Sequence, residues 1–240
     1  MMNLNISGLL FSAIFILFQN AASAGVQISN TRIIYPGDVD EVQATVKNTG
    51  NGNQLVQAWV DNFDKNDKSK PPLIITPPLF KLIGGQTNIL HFISVDKNDI
   101  LKKDREQIFW ANIKSIEATP KVLLQQSKLQ LATRSRIKLI WRPKGLNKND
   151  AQEAYKSLIF SVSGGRLAVD NPTAYYISLH SMTVDGKEVK PPKDTLSAVS
   201  MMISPYSKMI YSLPGGNAKS VRWSAIDDYG NATSEQEKSL

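Results

Sequence analysis

The chain has 240 residues, a formal net charge of +7 and no cysteine. That length can bury a core without covalent staples, and the missing thiols exclude thiol catalysis, cysteine zinc sites and iron–sulfur clusters. The charge is uneven, with 17 basic against 11 acidic side chains from Gly25 to Pro143 and 11 against 10 from Lys144 to the end. Solvated surface lysine accounts for most such excesses, and what is left points an anionic partner to the first half.

The first element is a leader. Ile6 to Phe18 is almost wholly apolar, and Ala22-Ser23-Ala24 supplies small residues on either side of a cleavage point. This pattern predicts an export signal over residues 1–24, cut after Ala24. Met1 to Asn5 holds no Lys or Arg, so the α-amino group alone supplies positive charge there. The apolar run is too short to span a bilayer comfortably, and no later segment replaces it. An exported protein with no membrane insertion after cleavage is expected, and nucleic acid is a poor partner for it.

Strand signals follow. Val26 and Ile28 alternate with polar neighbours, as do Val42, Ala44 and Val46. Leu55–Val60, Ile89–Val95 and Ile108–Ile113 are further short apolar or alternating runs. Turn chemistry divides them at Tyr35-Pro36-Gly37, Asn48-Thr49-Gly50-Asn51-Gly52, Lys70-Pro71-Pro72 and Ile83-Gly84-Gly85.

Ser127 to Arg142 is the most informative stretch. Leu129, Leu131, Thr133, Ile137, Leu139 and Trp141 fall on one face, and Lys128, Gln130, Arg134, Arg136 and Lys138 on the other. Sixteen extended residues reach roughly 50 Å, beyond ordinary strands of about ten residues at most. The second half can serve the protein's own core, while the first half overhangs with Leu129 and Leu131. An apolar overhang of this kind is a liability unless it pairs with another chain.

Arg142-Pro143 closes the first half, since proline cannot extend a central ladder. Lys144 to Asp150 is polar, with Gly145 and two asparagines. A second strand series begins at Leu158-Ile159-Phe160, punctuated at Gly164-Gly165, Asn171-Pro172, Asp185-Gly186 and Gly215-Gly216. The pattern is all-β: two immunoglobulin-like sandwiches in tandem, over residues 25–143 and 144–240.

Catalytic and metal chemistry is not signalled. His91 and His180 sit among strand residues without metal-ligand spacing. No phosphate loop, nucleophile elbow or zinc motif appears. Asp227-Asp228 would point to opposite faces of a strand, which argues against a shared-proton pair. No enzyme, cofactor or metal site is expected.

Seven segments, in order, resemble one family. They are Thr31-Arg32 before Ile33-Ile34; Gln57-Ala58-Trp59-Val60; Thr76-Pro77-Pro78 with Leu82 and Gly85; the run Asp104 to Ile113, D-R-E-Q-I-F-W-A-N-I; Ile137 to Pro143, I-K-L-I-W-R-P; Asp170 to Tyr176, D-N-P-T-A-Y-Y; and Asp227-Asp228-Tyr229-Gly230. Across essentially the whole mature chain the sequence resembles the PapD-like periplasmic chaperones of the chaperone–usher pathway. Gln107 stands in place of a small hydroxyl residue, Glu117-Ala118 where proline is common, and Thr133 where a larger apolar residue is common. The short segment between Asn112 and Lys138, together with the absence of cysteine, resembles the short-loop branch of that family.

The resemblance implies a boomerang of two sandwiches with an interdomain cleft. It implies that Arg32 and Lys138 clamp the C-terminal carboxylate of a pilus subunit. Leu129, Leu131 and Thr133 would anchor a strand lent to that subunit (donor-strand complementation), with Leu123 or Leu124 as a further anchor of open register. Glu106, Arg142 and Asp228 would form a salt-bridge set holding the domains. The implied partners are pilus subunits and an outer-membrane usher, in the periplasm. The competing reading, a pilus subunit or adhesin, fits less well. Subunits usually carry a disulfide and one incomplete sandwich, and this chain has no cysteine and two domains.

Overall fold

The computed structural model describes residues 25–97, 99–118, 130–190, 201–213 and 218–240. The first domain is built from Val26–Ile28 (β1), Arg32–Pro36 (β2), Glu41–Asn48 (β3), Gln54–Asn62 (β4), Leu73–Thr76 (β5), Leu79–Leu82 (β6), Thr87–Ser94 (β7), Gln107–Glu117 (β8) and Ala132–Arg142 (β9). One sheet runs β1-β3-β7-β5, and the other runs β2-β9-β8-β4-β6. Residue alternation explains how they face each other. In β3, Ala44, Val46 and Asn48 are buried while Gln43, Thr45 and Lys47 are exposed. Their inner face meets Val56, Ala58, Ala111 and Leu139 of the opposite sheet in one apolar core.

Asn48 is a buried polar exception with a local role. Its side chain donates to the carbonyls of Gly52 (2.7 Å) and Leu82 (3.1 Å) and accepts from the Gly50 amide (3.0 Å). This fastens the Asn48–Gly52 turn to the end of β6.

The second domain opens with a short helix, Lys148–Glu153 (α1), and a 3-10 turn, Ala154–Ser157. Its strands are Ile159–Ser163 (β10), Arg166–Asn171 (β11), Ile177–Val184 (β12), Lys187–Glu188 (β13), Met202–Ile203 (β14), Ser207–Ser212 (β15), Ser220–Ala225 (β16) and Gln236–Ser239 (β17). They form the sheets β10-β11-β15 and β13-β12-β16-β17, with β14 also on β12. Phe160 and Trp223, with ring centres 4.5 Å apart, lie in its core.

Three expectations need correction. The pattern read as all strand contains α1, because Asn147 caps it by accepting from the Asp150 amide at 2.8 Å. Ala154 and Tyr155 of the following turn are buried in the second core. The sixteen-residue strand is shorter: β9 has eleven residues, Gln130 and Leu131 precede it, and 127–129 lie outside the described residues. The loop taken as short also falls largely there, as do Leu123 and Leu124. Finally, Asp227 and Asp228 occupy a turn after β16 rather than a strand. Asp227 Oδ1 accepts from the amides of Tyr229 and Asn231, so the two carboxylates diverge for a different reason.

The domains meet through a small apolar cluster. Ile108 and Ile140, on the outer face of the first domain, pack with Met202 of the second, flanked by Ile34, Phe63 and Tyr176. This is why β8 is buried on both faces from Ile108 to Ile113. One face covers its own core and the other turns toward the second domain.

Candidate anion clamp and bare strand edge

β2 and β9 run parallel, and Arg32 lies directly opposite Lys138. Cross-strand partners share a face, so the two cations stand side by side. Arg32 Nη1 donates to the Ile226 carbonyl at 3.2 Å, and Lys138 Nζ donates to Ser178 Oγ at 3.1 Å. Both acceptors belong to the second domain and both are neutral. Arg32 Nε is buried without a partner. Among the described residues, neither cation forms an ion pair with a carboxylate.

The electrostatic consequence is marked at Lys138. Burial, and secondarily the charge of Arg32, push its ammonium down to about 8. Burial also lowers Arg32, against the opposing pull of Asp228 and Asp227. These groups border a cleft of about 230 Å³ that Trp110, Arg136, Ser178 and Ile226 also line. A carboxylate placed between two such cations gains charge-assisted hydrogen bonds and relieves their desolvation.

Four residues further along β9, on the same face, the charges are paired. Arg142 Nε donates to Glu106 Oε1 at 2.7 Å, and its Nη atoms donate to the two oxygens of Asp228 at 2.8 and 2.9 Å. Glu106 Oε2 accepts from the Tyr176 amide at 2.7 Å, and the Glu106 amide donates to the Ala174 carbonyl at 2.9 Å. Glu106 is 2% exposed and Arg142 5%. Burial raises the Glu106 carboxyl, opposed by Arg142. Burial alone would lower Arg142, but its bonds to Asp228 and the charge of Glu106 outweigh that, and the net shift is upward. The structure thus brings Glu106, Arg142 and Asp228 together across the domain boundary. The backbone bolts to Ala174 and Tyr176 were not legible from residue type, since any residue can supply them.

The turn carrying Asp228 also shapes the clamp. Gly230 has φ of +92°, and a Cβ there would come within 2.4 Å of Thr31 Oγ1. Only glycine allows this turn to approach the residue preceding Arg32 so closely.

The other end of β9 is open on one side. β8 pairs with it from Gln107–Trp141 to Ile116–Ala132, whereas β2 covers only Lys138 to Arg142. Among the described residues, no strand pairs with the second edge of Ala132–Ile137. Leu131 is 70% exposed just before it. Ile137, Leu139 and Trp141 pack on the first core, so Leu131 and Thr133 lie on the face that continues that core outward. The Thr133 hydroxyl pairs with that of buried Ser115 at 2.9 Å. Gln130 donates to the Glu117 carbonyl at 2.9 Å. Leu129 lies outside the described residues.

Comparison with known proteins decides the family. Residues 25–147 match the pili and flagellar-assembly chaperone PapD N-terminal domain, and residues 153–237 match the pili assembly chaperone PapD C-terminal domain. The chain belongs to the PapD family of pili-assembly chaperones. Similar relatives include chaperone protein LpfB of Salmonella typhimurium, 33% identical over 221 residues that cover 90% of each chain. FimC of Escherichia coli K12 is 34% identical, over 88% of this chain and 83% of its own. Among solved structures, the E. coli chaperone DraB has a TM-score of 0.75 at 32% identity, over 90% of this chain and 98% of that one. A chain from the Salmonella enterica SafA pilin–SafB chaperone complex has a TM-score of 0.73 at 26% identity, over 90% and 96%. These are chaperones, which favours that reading over the subunit or adhesin one. Among the described residues of this PapD-family chain, no helix is long and apolar enough to cross a membrane.

Proposed function

We propose that this chaperone acts in the periplasm after cleavage at Ala24, binds unfinished pilus subunits, and passes them to an outer-membrane usher. It completes each subunit's sandwich with its own β9 and caps it until transfer. The observation that carries this is the juxtaposition of a bare strand edge with two partly buried cations that have no carboxylate partner among the described residues.

The geometry constrains how the partner docks. A strand added along Ala132–Ile137 runs out of room where β2 begins at Arg32. If its carboxylate sits between Arg32 and Lys138, its C-terminus lies at that point. It then runs in the same direction as β9, end to end with β2. Anchoring the terminus sets the register, and a one-residue slip would turn the wrong face inward. Leu129, Leu131 and Thr133 then enter the subunit's groove. Each buried leucine contributes about 1.5–3 kcal/mol, so folding of the subunit needs neither nucleotide nor metal.

Co-expression with a pilus subunit tests the clamp. Arg32→Ala and Lys138→Ala should each abolish recovery of the complex while circular dichroism of the free chaperone is unchanged. Normal recovery with both variants sinks the assignment. Refolding a denatured subunit with purified chaperone in EDTA, without nucleotide, tests the energetics, and a strict need for either factor contradicts strand donation.

A further inference from the structure

Arg136 is two residues before Lys138 on the same face of β9, and it lines the same cleft as Arg32 and Lys138. Its guanidinium carbon sits 4.3 Å from the centre of the Trp110 ring. Trp110 is buried and stacks in turn on Phe63, with ring centres 5.3 Å apart and planes 18° from parallel. Phe63 packs against the apolar cluster between the domains. A long side chain therefore lies over an aromatic column.

That guanidinium is not satisfied among the described residues. Its Nε is buried without a hydrogen-bond partner. Asp61, whose charge reaches it, is already held by Trp59 Nε1 at 3.0 Å and Asn112 Nδ2 at 3.1 Å. Among the described residues lining the cleft, Arg32, Arg136 and Lys138 are charged and none is acidic. A terminal carboxylate supplies one negative charge to three cations.

We propose that Arg136 is a third member of the clamp, which reads an acidic side chain at the penultimate residue of the bound strand. This rests on the carboxylate reading of Arg32 and Lys138. Alternate residues of a strand repeat at about 6.6–6.8 Å. A partner running alongside β9 carries its alternate side chains at that same repeat. With its terminal carboxylate at Lys138, a side-chain carboxylate close upstream comes within reach of Arg136. Its two Nη atoms take it through paired N–H bonds, a geometry that lysine does not offer. The clamp would then distinguish subunits by their last residues as well as by a free terminus.

Titration of the mature chaperone with short extended peptides tests this. The peptides share an alternating apolar body, carry Glu or Gln as the penultimate residue, and end in a free acid or an amide. The Glu free acid should bind about tenfold or more tightly than the Gln free acid, as expected for one charge-assisted pair. Arg136→Gln should erase that preference and keep the acid-over-amide preference, and Arg136→Lys should restore it only in part. Thermal melts verify that both variants fold. Equal binding of the Glu and Gln acids to the parent, or a Glu preference surviving in Arg136→Gln, overturns the proposal and leaves the clamp standing. No acid-over-amide preference in the parent overturns the clamp reading and this one with it.

Discussion

One face of β9 carries two sets of cations in opposite states. At Arg142, every charge has a partner: Glu106 and Asp228 take its guanidinium, and Glu106 spends its other oxygen on the Tyr176 amide. At Lys138 and Arg32, four residues away, the partners are a hydroxyl and a carbonyl. Internally matched buried charge holds two domains in one arrangement. Buried charge with no internal counter-charge costs stability, and a protein keeps it where an outside anion makes up the difference.

The largest expected effect separates these two sets by sign. Arg142→Ala strands Glu106 in the interior and should cost about 3–5 kcal/mol, read as a drop in the denaturation midpoint. Lys138→Met and Arg32→Met remove unmatched, partly buried charge. They should leave stability equal or higher while complex formation is lost. If all three destabilise alike, the distinction between architecture and clamp collapses.

Next in size is Leu131→Glu, compared with Gln130→Glu. The first places a charge where the continued core face should enter an apolar groove, a cost of several kcal/mol. The second acts on an exposed side chain that gives up one bond to the Glu117 carbonyl. Competition for one subunit measures both. Equal damage would mean that the faces are misassigned and the register must be redrawn.

The clamp should also titrate. Lys138 is held down to about 8 by burial and by Arg32, and binding a carboxylate needs it charged. Affinity should therefore fall by up to about tenfold per pH unit above about pH 8, and Lys138→Arg should flatten that fall. Stability of the free chain moves the other way. A depressed folded-state value adds stability that is present above the ordinary lysine value and is lost as pH falls through about 8. A pH titration of complex formation that is flat from 7 to 10 would remove Lys138 from the clamp.

The smallest effect is at Thr133. Replacing it with valine suits an apolar groove but leaves buried Ser115 without its 2.9 Å partner. Thr133→Val alone should cost about 1 kcal/mol of chaperone stability. Adding Ser115→Ala should recover it, because both ends of the bond are then gone. A Thr133→Val chain as stable as the parent would show that the hydroxyl pair contributes nothing.

Some of the site was legible because it depends on local pattern. The alternation from Leu129 to Trp141 separated the core-continuing face from the charged face. Arg32, Lys138, Glu106, Arg142 and Asp228 were legible through the ordered motifs around them, not through charge, since isolated Lys and Arg residues on strands are common. Ser178, the Ile226 carbonyl and the Trp110–Arg136 contact left no such trace. α1 was missed because its residues are polar, although Asn147 and Asp150 are a recognisable cap.

The sequence alone determined the strand-rich class, the division into two domains and which face of β9 is apolar, because those follow from side-chain periodicity and turn chemistry along the chain. Tertiary structure decided which cations are matched. Arg142 is bonded to Glu106 and Asp228, which lie 36 and 86 positions away along the chain, and Arg32 and Lys138 meet only through the parallel β2–β9 pair. Whether a charge is compensated depends on what surrounds it in space and on how far water is excluded, and neither quantity is written in the spacing of residues along a chain.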